Sequence, residues 1–302
     1  MKTLLVTGAW KCEQNDFAEI EKLGYKIVFH QNESDSLPIP YDVIDGVVCN
    51  GLFLHHSVEK FTSLKFVQLT SAGLDRIPVD YMRANDIKIF NAGGVYSIPM
   101  AEFALAGVLC LYKQMRFFSA KQQSSLWEKH RGLTELFGKT VCILGCGSVG
   151  NECAVRFAAF GCNVIGVDAY PRDDVRYQRM YGTDDLCIAL GQSDIVVLTL
   201  PLTEETRYIM NKTAFSHVKD GAVIVNIARG AVIDETALIE ALEDKLGGAV
   251  LDVFECEPLS SDSPLWKIDN VLITPHNSFV GDGNAERLKN KILENLRSVS
   301  NE

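Results

Sequence analysis

The feature that most constrains the fold is a glycine-rich turn, TVCILGCGSVG, which follows an apolar run and precedes a helical pattern, NECAVRFAAFG. Gly145 permits a tight turn, Gly147 lets the backbone approach a ligand closely, and Gly150 lets the helix pack near the strand. The first N–H groups of such a helix favour a bound phosphate. A strand, this turn and a helix in this order predict a dinucleotide-binding unit.

An acidic residue follows the next predicted strand. The strand CNVIGVD ends in Asp168, eighteen residues after Gly150. A carboxylate at this position accepts hydrogen bonds from ribose hydroxyls and repels a 2′-phosphate, which favours NAD over NADP. Arg172, four residues later, would soften that preference. Cys146, inside the turn, is either a small residue that fits or a thiol made more acidic by the helix N-terminus.

Short β-rich runs alternate with longer helical patterns, which is typical of parallel sheets covered by helices. Five such runs lie before residue 94 and predict a small βα domain, and six more from residue 139 predict the dinucleotide-binding domain. Residues 97–127, apolar on one side, predict one long helix that leaves the first domain. The tail NAERLKNKILENLRSVS (284–300) predicts a final amphipathic helix.

Composition excludes several classes of protein. The net charge of −10 and a sequence pI near 5.2 argue against binding to nucleic acid or to an anionic membrane surface. The nine cysteines are an odd number in a long chain and include no CxxC pair. They predict reduced, mostly buried thiols in a cytoplasmic protein, and they make a zinc site improbable.

Polar side chains follow three of the predicted strands in the second half of the chain. Arg229 follows VIVNIA, Asp252 ends AVLD with Glu257 five residues later, and His276 follows NVLITP. Ligands of an open parallel sheet bind outside the carboxyl ends of its strands. Each residue alone could equally be a turn, an ion pair or a solvated loop, but their joint placement favours a catalytic site.

Hydride transfer to a 2-keto acid is the chemistry that unites these residues. The carbonyl oxygen must gain a proton as the carbonyl carbon gains hydride, and an imidazolium can supply that proton near neutral pH. A carboxylate from Glu257 would hold the ring of His276 and favour its charged form. The Arg229 guanidinium would bind the keto oxygen and one carboxylate oxygen.

With these motifs the sequence resembles the D-isomer-specific 2-hydroxyacid dehydrogenases over essentially its whole length. The resemblance rests on GCGSVG with Asp168, and on LPLTEETRYIMNKTAF, VNIARGAVID, LDVFECEP and TPHNS. TSAGLDRIP (70–78) and NAGGVYSIPMAEFAL (91–105) also look like motifs of the family's first domain.

The resemblance implies an α/β protein of two βα domains, a Rossmann dinucleotide-binding domain (97–279) and a smaller flavodoxin-like substrate domain (1–96), with a cleft between them. The C-terminal helix (280–302) would return to the substrate domain, and two chains would form a homodimer through the NAD-binding domain. Arg229, Glu257 and His276 are implied as the catalytic residues. The implied substrate contacts are Ala72, Gly73 and Asn50, and the implied NAD contacts are Gly145, Gly147, Ser148, Val149, Gly150, Asp168, Pro201, Thr206, Ile227, Ala228 and Asp252.

Departures from the family pattern limit the substrate that the sequence predicts. The position where phosphoglycerate dehydrogenases carry an arginine before the substrate turn is Leu69 here, which weakens the case for a phosphorylated substrate. Two alternatives stay open: a corepressor-like protein that binds NAD(H) on the same fold, and a formate or phosphite dehydrogenase. The expected activity is an NAD-dependent reductase or dehydrogenase of a small 2-keto or 2-hydroxy acid.

Overall fold

Two parallel β-sheets organise residues 1–300, the part of the chain that the computed structural model describes. One compact unit consists of Met1–Tyr96 and the segment that begins at Gly281, and the other is Ser97–Val280. Each sheet is covered by helices, as the alternation of strand and helix patterns predicts. The two-domain α/β fold class is therefore confirmed.

The first unit contains a five-stranded sheet in the order β2-β1-β3-β4-β5, which is the flavodoxin-like order. Helices cover both faces, so the central strands β1 and β3 are almost completely buried and read as continuous apolar runs. The strands and the two helices within this stretch of chain are β1 (Lys2–Thr7), α1 (Gln14–Lys22), β2 (Tyr25–His30), β3 (Gly46–Cys49), β4 (Phe66–Leu69), α2 (Val79–Ala84) and β5 (Lys88–Phe90).

The second unit contains a seven-stranded parallel sheet in the order β12-β11-β10-β9-β6-β7-β8. Six of these strands were predicted: β6 (Thr140–Leu144), β7 (Asn163–Val167), β9 (Ile195–Leu198), β10 (Val223–Asn226), β11 (Gly248–Leu251) and β12 (Val271–Ile273). The seventh, β8 (Arg179–Tyr181), was missed. It is three residues long and lacks an apolar run, and only its parallel pairing with β7 makes it a strand.

The helices of the second unit are α3 (Ser97–Tyr112), α4 (Met115–Gln123), α5 (Ser148–Ala159), α6 (Leu186–Gly191), α7 (Lys212–His217) and α8 (Glu235–Asp244). The prediction of one long helix over 97–127 is wrong, because the chain breaks between α3 and α4. Gln114 takes a left-handed conformation with φ 53°, and its side-chain amide donates to the carbonyl of Leu111. A left-handed residue is a common way to end a helix, and here neither glycine nor proline signals it.

The last helix, α9 (Asn284–Ser300), belongs to the first unit. Its buried face joins the apolar core beneath β1 and β3 and consists of Leu288, Ile292, Leu293, Leu296 and Val299. Lys289 pairs with Asp16 and Glu19 of the helix α1 region, and these carboxylates raise the pKa of the Lys289 ammonium. Within residues 1–300, no helix has the length and apolar character that crossing a membrane requires.

Candidate active site

The glycine turn lies between β6 and α5, and its backbone explains why glycine occupies these positions. Gly145 has φ 95°, and a Cβ there would lie 2.9 Å from the backbone nitrogen of Leu200. A Cβ on Gly150 would lie 2.2 Å from the carbonyl oxygen of Gly145, so the helix can approach the turn only with glycine. A Cβ on Gly147 would meet nothing within 4 Å.

The N-terminus of α5 fits a bound pyrophosphate. No side chain caps this helix, and the exposed residues Gly147 and Ser148 surround its first N–H groups, with Val149 half-buried beside them. Uncapped N–H groups at a helix N-terminus attract anions through both hydrogen bonding and the helix dipole. The space above Gly147, which a Cβ would partly fill, is where such an anion has room.

Asp168 follows β7 and stands beside the glycine turn. Its carboxylate accepts a hydrogen bond from the backbone N–H of Cys146 (2.8 Å) and another from that of Tyr170 (3.0 Å). Arg172 donates to the carbonyl of Cys146 at 2.7 Å. The carboxylate and the guanidinium therefore both lie at the turn, where an adenosine ribose would be bound in this fold.

The hypothesis of an acidic Cys146 thiol is wrong. The side chain is 1% exposed and points into the core, with Sγ 3.7 Å from the carbonyl oxygen of Ile143. Burial raises the pKa of the Cys146 thiol to about 11, and this exceeds the opposing effects of Tyr177 and Arg172. Cys146 is thus a small residue that fills the space against Gly166.

Four further predicted cofactor contacts lie after β9 and β10. Pro201 accepts a hydrogen bond from the Thr206 hydroxyl at 2.6 Å, and that hydroxyl also accepts the N–H of Thr203. These bonds fold residues 201–206 into a tight loop at the end of β9. Ile227 and Ala228 are buried directly after β10, which leaves mainly their backbone to contact a ligand.

His276 and Glu257 come together at the carboxyl edge of the same sheet. His276 follows β12, Glu257 lies in the loop after β11, and their Nδ1 and Oε2 atoms are 2.8 Å apart. The other oxygen of Glu257 accepts the backbone N–H of Phe254 at 3.1 Å. An ionised carboxylate can only accept, so Nδ1 carries the donated proton and Nε2 faces away from Glu257. Both side chains are more than a third exposed.

The loop that carries His276 is held by a buried carboxylate. Asp252 is fully buried, and it accepts the backbone N–H groups of Asn277 (2.7 Å) and Ser278 (2.9 Å) and the hydroxyl of Thr274 (2.6 Å). The backbone N–H of His276 donates to the carbonyl of Asp252 at 2.8 Å. His276 itself has φ 52°, a conformation that costs energy for a residue other than glycine.

Arg229 lies one strand further along the same edge, after β10. Asn226, 1% exposed, donates to the carbonyl of Arg229 (3.0 Å) and accepts the N–H of Ala228 (3.1 Å), which fixes the turn. A Cβ on Gly230 would lie 1.8 Å from the backbone carbon of Phe254, so this turn packs directly against the loop that leads to Glu257. The turns carrying Arg229 and Glu257 are therefore in backbone contact.

The predicted substrate contacts lie in the first unit, after β3 and β4. Asn91 donates to the carbonyl of Ala72 (2.7 Å) and Ser71 to that of Gly73 (3.2 Å), which fixes this turn. After β3, Asn50 and Gly51 donate their backbone N–H groups to the carboxylate of Glu33 (2.7 and 2.6 Å). The side-chain oxygen of Asn50 is buried and has no hydrogen-bond partner.

Comparison with known proteins decides the family. The model described as D-isomer specific 2-hydroxyacid dehydrogenase, NAD binding domain, matches residues 105–278. The chain belongs to this family. It is an NAD-binding oxidoreductase of the 2-hydroxyacid dehydrogenases, and the second unit contains their dinucleotide-binding sheet.

Individual relatives extend the match beyond that domain. The chain is 33% identical over 241 residues to (S)-sulfolactate dehydrogenase of Chromohalobacter salexigens, covering 79% of this chain and 78% of the relative. It is 35% identical over 251 residues to hydroxypyruvate reductase of Thermotoga maritima, covering 81% and 79%. A D-isomer specific 2-hydroxyacid dehydrogenase of Xanthobacter autotrophicus Py2, solved with NADPH and MES, matches with a TM-score of 0.80 at 29% identity, covering 99% of this chain and 94% of that one.

Three residues hold loops that carry predicted site residues, and the sequence did not predict that they do so. Asn226 interrupts an apolar strand, which is the one signal that could have indicated its role. Glu33 lies in a polar loop and Thr274 at the end of an apolar run, and neither position gave such a signal. Their partners are 22 residues away for Thr274 and 17 to 26 residues away for Glu33, distances that no local pattern spans.

Proposed function

We propose that this protein interconverts a small 2-keto acid and the corresponding D-2-hydroxy acid, with NAD as the hydride carrier. The observation that carries the proposal is the 2.8 Å contact between His276 Nδ1 and Glu257 Oε2. It lies at the carboxyl edge of the sheet that also carries the glycine turn. A histidine paired with a carboxylate beside a dinucleotide site fits proton transfer coupled to hydride transfer.

Each catalytic residue has a distinct role in this proposal. Bound NADH supplies the hydride to the carbonyl carbon. His276 donates the proton from Nε2 to the carbonyl oxygen, while Glu257 holds the ring and balances its positive charge. Arg229 binds the carbonyl oxygen and one carboxylate oxygen through its planar guanidinium, which stabilises the developing negative charge. The backbone N–H groups of the Ala72–Gly73 turn bind the substrate carboxylate.

We propose that NADH is preferred over NADPH. Asp168 offers carboxylate oxygens beside the glycine turn and would repel a 2′-phosphate. Arg172, which already donates to the carbonyl of Cys146, reduces but does not reverse this preference. The Asp168→Ala variant is expected to gain activity with NADPH relative to NADH, measured as the ratio of the two kcat/KM values. An unchanged ratio would remove Asp168 from this role.

We propose that the NAD-binding unit forms a homodimer. Large apolar side chains are exposed in and after α4, including Trp127 at 98% and Phe137 at 77%. Large apolar side chains exposed within one segment of chain commonly mark a protein interface. Light scattering on the purified protein is expected to give the mass of about two chains. The Trp127→Asp, Phe137→Asp double variant is expected to lower that mass toward that of one chain. A wild-type monomer would contradict the proposal.

A turnover assay tests the proposed activity. NADH is mixed with glyoxylate, hydroxypyruvate, pyruvate or a branched or aromatic 2-keto acid, and its absorbance is followed. We expect oxidation with at least one of them, a loss of roughly 10²–10⁴-fold in His276→Ala, and a large loss in Arg229→Ala with NADH binding retained. Tight NADH binding without oxidation of any keto acid would contradict the proposal and would instead indicate a protein that only senses NAD(H).

A further inference from the structure

A shallow pocket opens at the carboxyl ends of β1, β2 and β3 in the first unit, with a volume of about 360 Å³. Its wall includes Gly8, Gln31, Glu33, Asn50 and His55. In a sheet with the order 2-1-3-4-5, the carboxyl ends of β1 and β3 are where a ligand binds, because the chain connections there leave in opposite directions. Asn50, which the proposed function assigns to the substrate, forms part of this wall.

Glu33 is the one carboxylate in this wall, and the described residues that line the pocket include no lysine or arginine. Its Oε1 accepts the Asn50 N–H and the Thr7 hydroxyl (2.7 Å each), and its Oε2 accepts the Gly51 N–H (2.6 Å). These three donors fix the position of the carboxylate. The two backbone N–H groups are thus occupied by a negative charge that belongs to the protein.

The rest of the wall carries no further carboxylate and no lysine or arginine among the described residues. Gln31 lies over Gly8, where its amide nitrogen would be 2.4 Å from a Cβ on that glycine. The side-chain oxygen of Asn50, which also belongs to this wall, is buried and has no hydrogen-bond partner. The pocket therefore offers amide groups and one fixed carboxylate to whatever enters it.

We propose that Glu33 determines substrate specificity by excluding 2-keto acids that carry a second negative charge. The pocket accepts short keto acids with a neutral, hydrogen-bonding side chain, such as a hydroxyl or an amide. A second carboxylate, phosphate or sulfonate would enter beside the Glu33 carboxylate, with no lysine or arginine of the wall to neutralise it. Like charges about 8 Å apart in a protein environment reduce binding by roughly ten- to thirtyfold. This inference rests on the proposed function, since it needs a keto acid as the substrate.

The test uses two substrates of nearly the same shape, oxaloacetate and its amide, 2-oxosuccinamate, which carry a carboxylate and a neutral amide at the same position. The ratio of their kcat/KM values is measured at pH 7.5, where an ordinary imidazole is mostly neutral. The wild-type ratio is expected to favour the amide. Glu33→Gln is expected to reduce that ratio about tenfold, because it removes the charge but keeps the shape. Any loosening of the Asn50–Gly51 loop affects both substrates alike and cancels in the ratio.

Two further variants separate charge from structure. Glu21→Gln is the control, because it removes an exposed carboxylate near the amino end of β2, away from the pocket. It is expected to change the ratio of the two kcat/KM values less than twofold. Gln31→Lys adds a cation to the pocket without removing a Glu33 contact and is expected to shift the ratio in the same direction as Glu33→Gln. Thermal unfolding confirms that each variant is folded.

The outcomes are distinguishable from those of the proposed function. A wild-type enzyme that prefers oxaloacetate, or a ratio that stays within twofold in both Glu33→Gln and Gln31→Lys, would overturn the role of Glu33 while the dehydrogenase activity stands. Failure of the wild type to oxidise NADH with any keto acid would instead overturn the proposed function itself.

Discussion

Two loops in this protein, one in each unit, are each held by a carboxylate that accepts backbone N–H groups. The two carboxylates differ in how deeply they are buried. In the NAD-binding unit, Asp252 accepts two successive backbone N–H groups and the hydroxyl of Thr274. In the first unit, Glu33 accepts two successive backbone N–H groups and the hydroxyl of Thr7. Asp252 is fully buried, whereas Glu33 is half-exposed and lines a pocket.

The difference in burial gives the two carboxylates different roles. Water cannot replace a lost partner of Asp252, so its hydrogen bonds determine where His276 lies. Water can reach Glu33, so its loop depends on it less, and its charge remains felt by a ligand in the pocket. In the proposed enzyme, the buried carboxylate thus positions His276, while the partly buried carboxylate of Glu33 selects the substrate.

Asp252→Asn is expected to give the largest effect of the variants that test this comparison. The amide places an N–H donor against a backbone N–H of Asn277 or Ser278, in a site that water does not reach. We expect a loss of about 2–4 kcal/mol in the free energy of unfolding and a fall of roughly 10²-fold in kcat as His276 loses its position. Denaturant unfolding and steady-state kinetics measure the two. A kcat within threefold of wild type would show that Asp252 does not position His276.

A matched pair of threonine variants compares the two loops directly. Thr274→Val and Thr7→Val each remove one hydroxyl donor from a carboxylate and keep the side-chain shape. Thr274→Val is expected to cost about 1.5 kcal/mol of stability and Thr7→Val less than about 1 kcal/mol, because solvent can reach Glu33 and compensate there. Equal losses in urea unfolding, or a larger loss for Thr7→Val, would mean that burial does not distinguish the two sites.

The cysteines also differ in burial, and for them the expected difference is in the rate at which the thiols are alkylated. With a pKa of about 11, Cys146 is almost entirely protonated at pH 7.5, with about 300-fold less thiolate than an ordinary thiol. Its alkylation by iodoacetamide, followed by peptide mass spectrometry, is expected to lag far behind that of exposed Cys256, with or without NAD. Because the raised pKa keeps the Cys146 thiol protonated at neutral pH, its alkylation rate is expected to increase as the pH rises toward 11. Labelling as fast as that of Cys256 at pH 7.5 would contradict the buried placement.

The local parts of the site could be predicted from the sequence. The glycine turn is a contiguous pattern whose positive φ and close approaches demand glycine at Gly145 and Gly150, and the strand ends carrying Arg229 and His276 follow clear apolar runs. The parallel sheet then brings the ends of β10, β11 and β12 to one edge. This is why residues far apart in sequence could be expected to lie near one another.

Other features depend on contacts that the sequence does not display. The break at Gln114 involves neither glycine nor proline, and β8 exists only because β7 offers an edge. Glu33 looks like an ordinary acidic residue in the sequence, and Asp252, which the sequence predicts as an NAD contact, instead accepts hydrogen bonds from the loop that carries His276. Of the two alternatives for Cys146, the acidic thiol is wrong because a helix N-terminus acts on a thiol that faces it, whereas this thiol points into the core.

A crystal structure with NADH and a non-reacting analogue of a 2-keto acid would show whether His276, Glu257 and Arg229 meet the substrate carbonyl. We expect the analogue's carbonyl oxygen to lie within about 3 Å of His276 Nε2, with Glu257 still bound to Nδ1 and the Arg229 guanidinium on the same oxygen. An analogue bound elsewhere, or a His276 ring turned away from the carbonyl in the presence of both ligands, would contradict it.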